Sequence, residues 1–340
     1  MLFRHRAGIG ALVAALVLPL AACGGDQAGA DTLVVYSGRH EGLVGGLLER
    51  LEKETGMPVE VRYGGSAEMA AQILEEGDGS QADVFFSQDA GALGALGEQG
   101  RLAKLPQDVL DAVPAKYRAD DGTWVATSAR ARVVAYDPAQ VSQNELPQGA
   151  DDVLDPKWRG KVGFAPTNAS WQASVTGLRV LRGEDGARDW LTRFAANDPQ
   201  RYKNNLAVLD AVDSGQIALG LINHYYWYER VAEQGDDAVN ARLHFVGGDD
   251  PLALVNVAGA GVLAGNDSHD AAVKAVRFLL SEQAQRYFAD ETAEYPVTPG
   301  VSSTKHDLPP LREIQSPDLD LSSLSSLQQT LGLLQEVGLS

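Results

Sequence analysis

Thr32-Leu-Val-Val-Tyr36, the polar turn Ser37-Gly-Arg-His40 and residues 42–55, with Leu43, Leu47, Leu48 and Leu51 at helical spacing, read as strand, turn and helix. The unit recurs. Val59-Glu-Val-Arg-Tyr63 runs into Gly64-Gly65-Ser66 and a helical stretch over residues 67–76, for which Ser66 is the expected N-cap. Ala82-Asp-Val-Phe-Phe86 is the third strand, and Ser87, Gln88 and Asp89 lead from it into a helix over residues 92–99. Three such units within about 70 residues predict an α/β fold with a parallel sheet, whose ligands bind where strand ends meet a crevice.

The theme continues with different punctuation. Strands are expected over residues 124–128, 131–136, 161–164, 217–222, 243–246 and 253–258, and helices over 171–181, 186–196, 206–214 and 270–290. Ala165-Pro-Thr-Asn-Ala-Ser170 is the turn before one of these helices. Such a turn can present free N–H groups to an anion, although a simple capped helix start is the more common case. Roughly 310 residues beyond the leader exceed what one core usually fills, so two domains are expected.

The leader is legible from charge and apolarity. Arg4, His5 and Arg6 precede an apolar stretch over residues 7–18, the pattern of a secretory signal and too short for a membrane span. It closes with Leu20-Ala21-Ala22-Cys23-Gly24, which resembles the lipobox of bacterial lipoproteins. The expectation is a signal peptide over residues 1–22, lipidation of Cys23, a flexible tether over 23–30 and an extracytoplasmic body anchored to the cell membrane. Cys23 is the single cysteine, so neither a disulfide framework nor a thiolate metal site is available. Removing residues 1–22 takes away Arg4 and Arg6 and no acids, which moves the formal charge from -18 to -20. A chain this acidic does not seek nucleic acid or anionic lipid.

Residues 223–228 read Asn-His-Tyr-Tyr-Trp-Tyr directly after the apolar segment Ile217-Ala-Leu-Gly-Leu-Ile222, which would deliver two tyrosines at a strand end. Phenolate oxygen is hard and anionic, so a tyrosine pair beside His224 and Asn223 suits a small trivalent cation. The phenol pKa lies near ~10, and a bound metal would have to displace those protons. Read alone, the run is also an ordinary aromatic core or interface patch.

Taken in order, Val35-Tyr-Ser-Gly-Arg-His40, Ala82-Asp-Val-Phe-Phe-Ser-Gln88, Phe164-Ala-Pro-Thr-Asn168, Asn204-Asn205 and Leu221-Ile-Asn-His-Tyr-Tyr-Trp-Tyr228 resemble the ferric-ion-binding proteins of bacterial iron uptake. These are substrate-binding components of ABC transporters, and the likeness extends to the tail Pro309-Pro-Leu-Arg-Glu-Ile-Gln315. The resemblance implies a two-lobed periplasmic-binding-protein fold of the class II type, with hinge strands and an inter-lobe cleft. Lobe 1 is then residues 31–130 plus 256–306, and lobe 2 is 131–255 plus 307–340. It implies Tyr225 and Tyr226 as paired phenolate ligands of Fe(III) and His40 as the imidazole ligand from the opposite lobe. Asn168, Ala169, Ser170, Asn205 and Asn223 would surround a synergistic phosphate or carbonate. The implied partners are a permease and its ATPase, with the binding protein itself a monomer.

One position departs from that pattern. Some members carry a glutamate where this chain has Gln88, and a neutral amide oxygen is a weaker donor to a trivalent ion. Glu41, Asp89, a water or a bidentate anion are the groups available to fill the gap. Arg130 and Arg132 either hold an anion or form salt bridges to acids. A same-fold receptor for a small organic or oxyanion solute is the alternative, since tyrosines also stack on and hydrogen-bond to such ligands. An enzyme is not expected: the chain has no Gly-x-Ser-x-Gly elbow and no His-Glu-x-x-His.

Overall fold

A single strand of 13 residues, Trp124–Tyr136, is buried along its whole length and organises the sheet. The computed structural model describes residues 32–265 and 268–340; the leader, the tether and Cys23 lie outside the described residues. In chain order the first half contains β1 (Leu33–Ser37), α1 (Glu41–Thr55), β2 (Val59–Tyr63), α2 (Ser66–Glu76), β3 (Val84–Ser87), α3 (Ala90–Glu98), α4 (Gln107–Asp111) and the long strand, β4. Next come β5 (Val162–Phe164), α5 (Ala169–Ala196), β6 (Gln200–Arg201), α6 (Asn205–Asp213), β7 (Leu219–Asn223), α7 (Tyr225–Gln234) and β8 (Arg242–His244). The chain closes with β9 (Val255–Val262), α8 (His269–Leu279), α9 (Glu282–Glu291), β10 (Tyr295–Pro296) and α10 (Leu327–Glu336). Among the described residues no helix is long and apolar enough to cross a membrane.

The strand order is β2-β1-β3-β9-β4-β7-β5-β6, with β8 and β10 also paired to β4. β1 runs parallel to β2 and β3, and β5 runs parallel to β6 and β7. β4 joins these two parallel groups. Its residues from Trp124 to Ala131 pair antiparallel with β9, and from Arg132 to Tyr136 they pair antiparallel with β7. The architecture is therefore two α/β lobes sharing crossover strands, the class expected from the repeating strand-turn-helix units.

Two hydrophobic clusters follow this division in part. One gathers β1, β3, β9 and their helices but also takes in Val208, Leu209 and Ile222, while the other centres on Phe164, Trp171, Trp190 and Phe194. In the second, Trp190 stacks on Phe194 at 5.0 Å and Phe164 meets Trp171 at 4.9 Å. The C-terminal segment belongs to both: Leu321 and Leu324 pack in the first cluster and Leu333 and Leu334 in the second.

Several local expectations change in three dimensions. The strands expected over 124–128 and 131–136 are one, because Ser128 and Arg130, which interrupt the apolar pattern, meet a buried partner in Glu294. The helix expected over 270–290 is two, with Ser281 capping the second by accepting from the Ala284 N–H. The helices over 171–181 and 186–196 are two arms of α5 joined at Gly183, whose φ of 71° suits a residue without Cβ. Ser66 is the first residue of α2 and not its cap. Its Oγ instead accepts from the Gln88 N–H at 2.8 Å, tying α2 to the end of β3.

Candidate functional site

A cleft of about 710 Å³ opens where the ends of β1, β3 and β7 converge on the middle of β4. His40, Gln88, Asp89 and Ser66 line one wall, and Asn168, Ala169, Ser170, Asn223, Tyr225 and Tyr226 line the other, with Arg130 and Arg132 between them. Strand ends facing a crevice are where an open α/β sheet exposes backbone groups and loop side chains to a ligand.

The tyrosines follow the end of a strand directly and stand on the first turn of a helix. β7 stops at Asn223, and Tyr225 and Tyr226 form the first turn of α7, their ring centroids 4.2 Å apart. Tyr225 is buried and Tyr226 half-buried. Burial, reinforced by the neighbouring Tyr226, pushes the Tyr225 phenol well above its ordinary value. Without a cation Tyr225 is therefore protonated at neutral pH. His224 is not beside them in the cleft. It is wholly buried, stacks on Tyr295 at 4.3 Å and accepts the Ala131 N–H on Nδ1 at 3.3 Å, so it anchors the turn from behind.

His40 occupies the position before α1 and is exposed on the cleft wall. Glu41 follows it in the first helical turn and is not among the residues that line the cleft. Gln88 does reach the site. Its backbone is held by Ser66 Oγ and by Arg130, whose guanidinium donates to the Gln88 carbonyl, while its side-chain Oε1 is buried with no hydrogen-bond partner. A buried acceptor left empty is costly unless a ligand fills it. Asp89 spends Oδ1 on capping α3, accepting from Ala92 N–H at 3.0 Å. Burial raises its carboxyl pKa, although the Ala92 N–H and Arg130 work against that rise.

The opposite wall is built from donors. Asn168 caps α5, its Oδ1 accepting from Ser170 N–H at 2.9 Å and Ser170 Oγ at 2.7 Å. Asn205 lies behind this turn and does not line the cleft; its Nδ2 donates to Asn168 Oδ1 at 3.2 Å and Ser170 Oγ at 2.9 Å. Asn205 therefore holds the turn in shape, a support role that the sequence does not distinguish from contact.

The two arginines have different fates. Arg130 pairs with Glu294 at 3.5 Å, and Arg39 approaches the same carboxylate at 2.9 Å. Burial works to raise the Glu294 pKa, but Arg39 and Arg130 outweigh it and hold the carboxyl below its ordinary value. Arg132 forms no ion pair among the described residues. It donates to Leu221 O at 2.7 Å, Ser170 Oγ at 3.2 Å and Asn223 Oδ1 at 3.5 Å, and its buried Nε has no partner. Burial pushes its pKa down to about 10, still cationic at neutral pH. A buried positive charge beside the amino end of α5 is an anion-attracting arrangement.

Among the described residues no group of three or more His, Cys, Asp or Glu side chains is placed to hold a metal ion. A cation in this cleft would therefore need donors beyond these residue types, and the two phenols and the Gln88 amide oxygen line it. One residue that the sequence reading passed over also lines the cleft: Glu229 in α7, three and four positions beyond the tyrosines. Reading the tyrosines as a helix start would have exposed that spacing.

Residues 80–321 match the family described as bacterial extracellular solute-binding protein. The chain is 35% identical over 312 residues to the major ferric iron-binding protein of Neisseria meningitidis serogroup B, covering 90% of this chain and 93% of the relative. It resembles iron-bound HitA from Pseudomonas aeruginosa with a TM-score of 0.82 and 36% identity, over 90% of this chain and 99% of that one. A Trichodesmium protein in complex with iron and citrate ligands gives a TM-score of 0.77 at 28% identity, over 91% and 100% of the two chains. This chain belongs to the bacterial extracellular solute-binding proteins, among the ferric iron-binding members of that family.

Proposed function

We propose that this protein captures Fe(III) together with a synergistic anion and delivers it, outside the cytoplasm, to the permease of an ABC transporter. The observation that carries the reading is the tyrosine pair on the first turn of α7, opening onto the same cleft as His40 and the unpaired Arg132. In this reading Tyr225 and Tyr226 bind as phenolates, His40 binds as a neutral imidazole from the facing wall, and the vacant Gln88 Oε1 is a neutral oxygen donor. Fe(III) with two phenolates keeps one positive charge and Arg132 adds another, so an anion is needed for balance. Phosphate or carbonate would sit against Arg132, Asn223 and the Ala169 N–H at the start of α5, since the Asn168 and Ser170 N–H groups already donate to Ala165 O and Asn168 Oδ1.

Ligands drawn from both walls make closure depend on the cargo, and the closed form is what a permease can recognise. The moving bodies in this account are residues 31–130 with 256–306 and residues 131–255 with 307–340. The C-terminal segment of the second also leans on the first. A lipid on Cys23 would keep a single copy of the protein near the permease and its ATPase.

The test is an iron titration of metal-stripped protein lacking residues 1–23, with phosphate or bicarbonate supplied, followed by visible absorption. A phenolate-to-iron charge-transfer band saturating at equimolar iron is expected, and it should be absent when Tyr225→Phe and Tyr226→Phe are combined. A parent protein with no band under either anion refutes the reading.

A further inference from the structure

Glu229 faces the same opening as the tyrosines. Residues three and four apart on a helix share a face, with Cβ atoms about 5–6 Å apart, so α7 turns two phenols and a carboxyl toward one cleft. Arg132, the unpaired cation of this cleft, forms no ion pair with Glu229, and the other arginines are engaged elsewhere. Arg230 pairs with Asp210 at 2.5 Å, and Arg39 and Arg130 both serve Glu294. Among the described residues Glu229 has no ion pair. Its charged neighbours are Glu294 and Glu233, both acidic, and burial followed by these two charges pushes its carboxyl up to about 7. A half-buried acid with no ion pair, on the wall of a cleft, lacks a cation.

The wall opposite α7 supplies only a neutral oxygen from Gln88, and Asp89 has committed Oδ1 to capping α3. Neither gives a trivalent ion an uncommitted carboxylate. We propose that Glu229 is the protein carboxylate of the cargo site, supplying from α7 the anionic oxygen that Gln88 does not. This rests on the Fe(III) reading above. It changes the charge balance, because Fe(III), two phenolates and one carboxylate are neutral together. The co-bound anion then needs to match only Arg132, which favours a singly charged form such as bicarbonate or dihydrogen phosphate.

The experiment uses the chain lacking residues 1–23, since Asp31–Ser340 forms a compact unit of its own. Ferric ion is loaded in the presence of phosphate and withdrawn with citrate, while the charge-transfer band is recorded for the parent, Glu229→Gln, Gln88→Glu and the double variant. Glu229→Gln should keep a band, because the tyrosines remain, but lose iron at about tenfold lower citrate or less. Its band should move to longer wavelength, since iron that has lost an anionic donor accepts phenolate charge more readily. Gln88→Glu in that background should restore both properties. Parent-like citrate resistance in Glu229→Gln overturns the assignment while leaving Fe(III) binding intact. Weaker binding with an unmoved band also overturns it, because Glu229 would then act only through its field. No band in the parent sinks the Fe(III) reading itself. Circular dichroism and the melting temperature of the apo variants separate all of these outcomes from misfolding, and the Gln88→Glu single variant, which leaves α7 untouched, should resist citrate better than the parent.

Discussion

His224 makes a quantitative acid-stability test possible because the imidazole is wholly buried, stacked on Tyr295, and uses Nδ1 as an acceptor. A proton on Nδ1 would remove that acceptor and place a charge in an apolar setting. Burial accordingly pushes the pKa down to about 3, against the pull of the Glu294 charge. In the unfolded chain the imidazole titrates near ~6.5. Between these two values the unfolded state binds more protons than the folded one, so stability rises with pH across the window and is lost as pH falls from about 6.5 toward 3. Integrating over that difference gives about 2 kcal/mol less stability at pH 5 than at pH 7 from this one group. The assay is urea unfolding of the apo protein at both pH values, for the parent and for His224→Phe, which keeps a ring against Tyr295 but cannot titrate. Carboxylates shared by the two proteins cancel in the comparison. The parent should lose about 2 kcal/mol more than the variant on going from pH 7 to pH 5. Equal losses would refute the reasoning, because they would mean that His224 is protonated in the fold without penalty or is not buried there.

Arg132→Gln removes the unpaired cation beside Ser170 and Asn223. Phosphate should strengthen iron binding by the parent, and that enhancement should fall about tenfold or more in the variant, since a charge-assisted hydrogen bond contributes about 1.5–3 kcal/mol; an unchanged phosphate effect would place the anion elsewhere. Glu294→Ala leaves Arg39 and Arg130 buried without their shared carboxylate. It should cost about 3–5 kcal/mol in urea unfolding, and a loss below about 1 kcal/mol would show that water reaches these guanidinium groups.

What local pattern could reveal, it did. The apolar run at residues 32–36 and the leucines at 43, 47, 48 and 51 became β1 and α1, because strand and helix periods are set by neighbours within a few residues. The Ala165 to Ser170 turn capped α5 through Asn168 for the same reason. The site was legible as residue types near strand ends, which is why His40, Gln88, Asn168, Ala169, Ser170, Asn223, Tyr225 and Tyr226 all line one cleft. Errors arose where a distant partner changed the meaning of a residue. Ser128 and Arg130 looked like a break in a strand until Glu294, 164 positions beyond Arg130, satisfied them. Glu229 carried no signal while its neighbours were read as the end of a strand.

Taken alone, the sequence determined the α/β class, the order of the units and the phenol-rich chemistry, since periodicity and functional groups belong to the covalent chain. Only the tertiary structure decided that Arg130 is spent on Glu294 while Arg132 is not, that His224 supports the tyrosines from behind, and that Asn205 braces Asn168. It also decided that Glu229 reaches the cleft and Glu41 does not. Pairing and burial depend on which remote segments the sheet brings together, and a charge or a hydrogen-bonding atom has no settled role until its neighbours across that distance are in place.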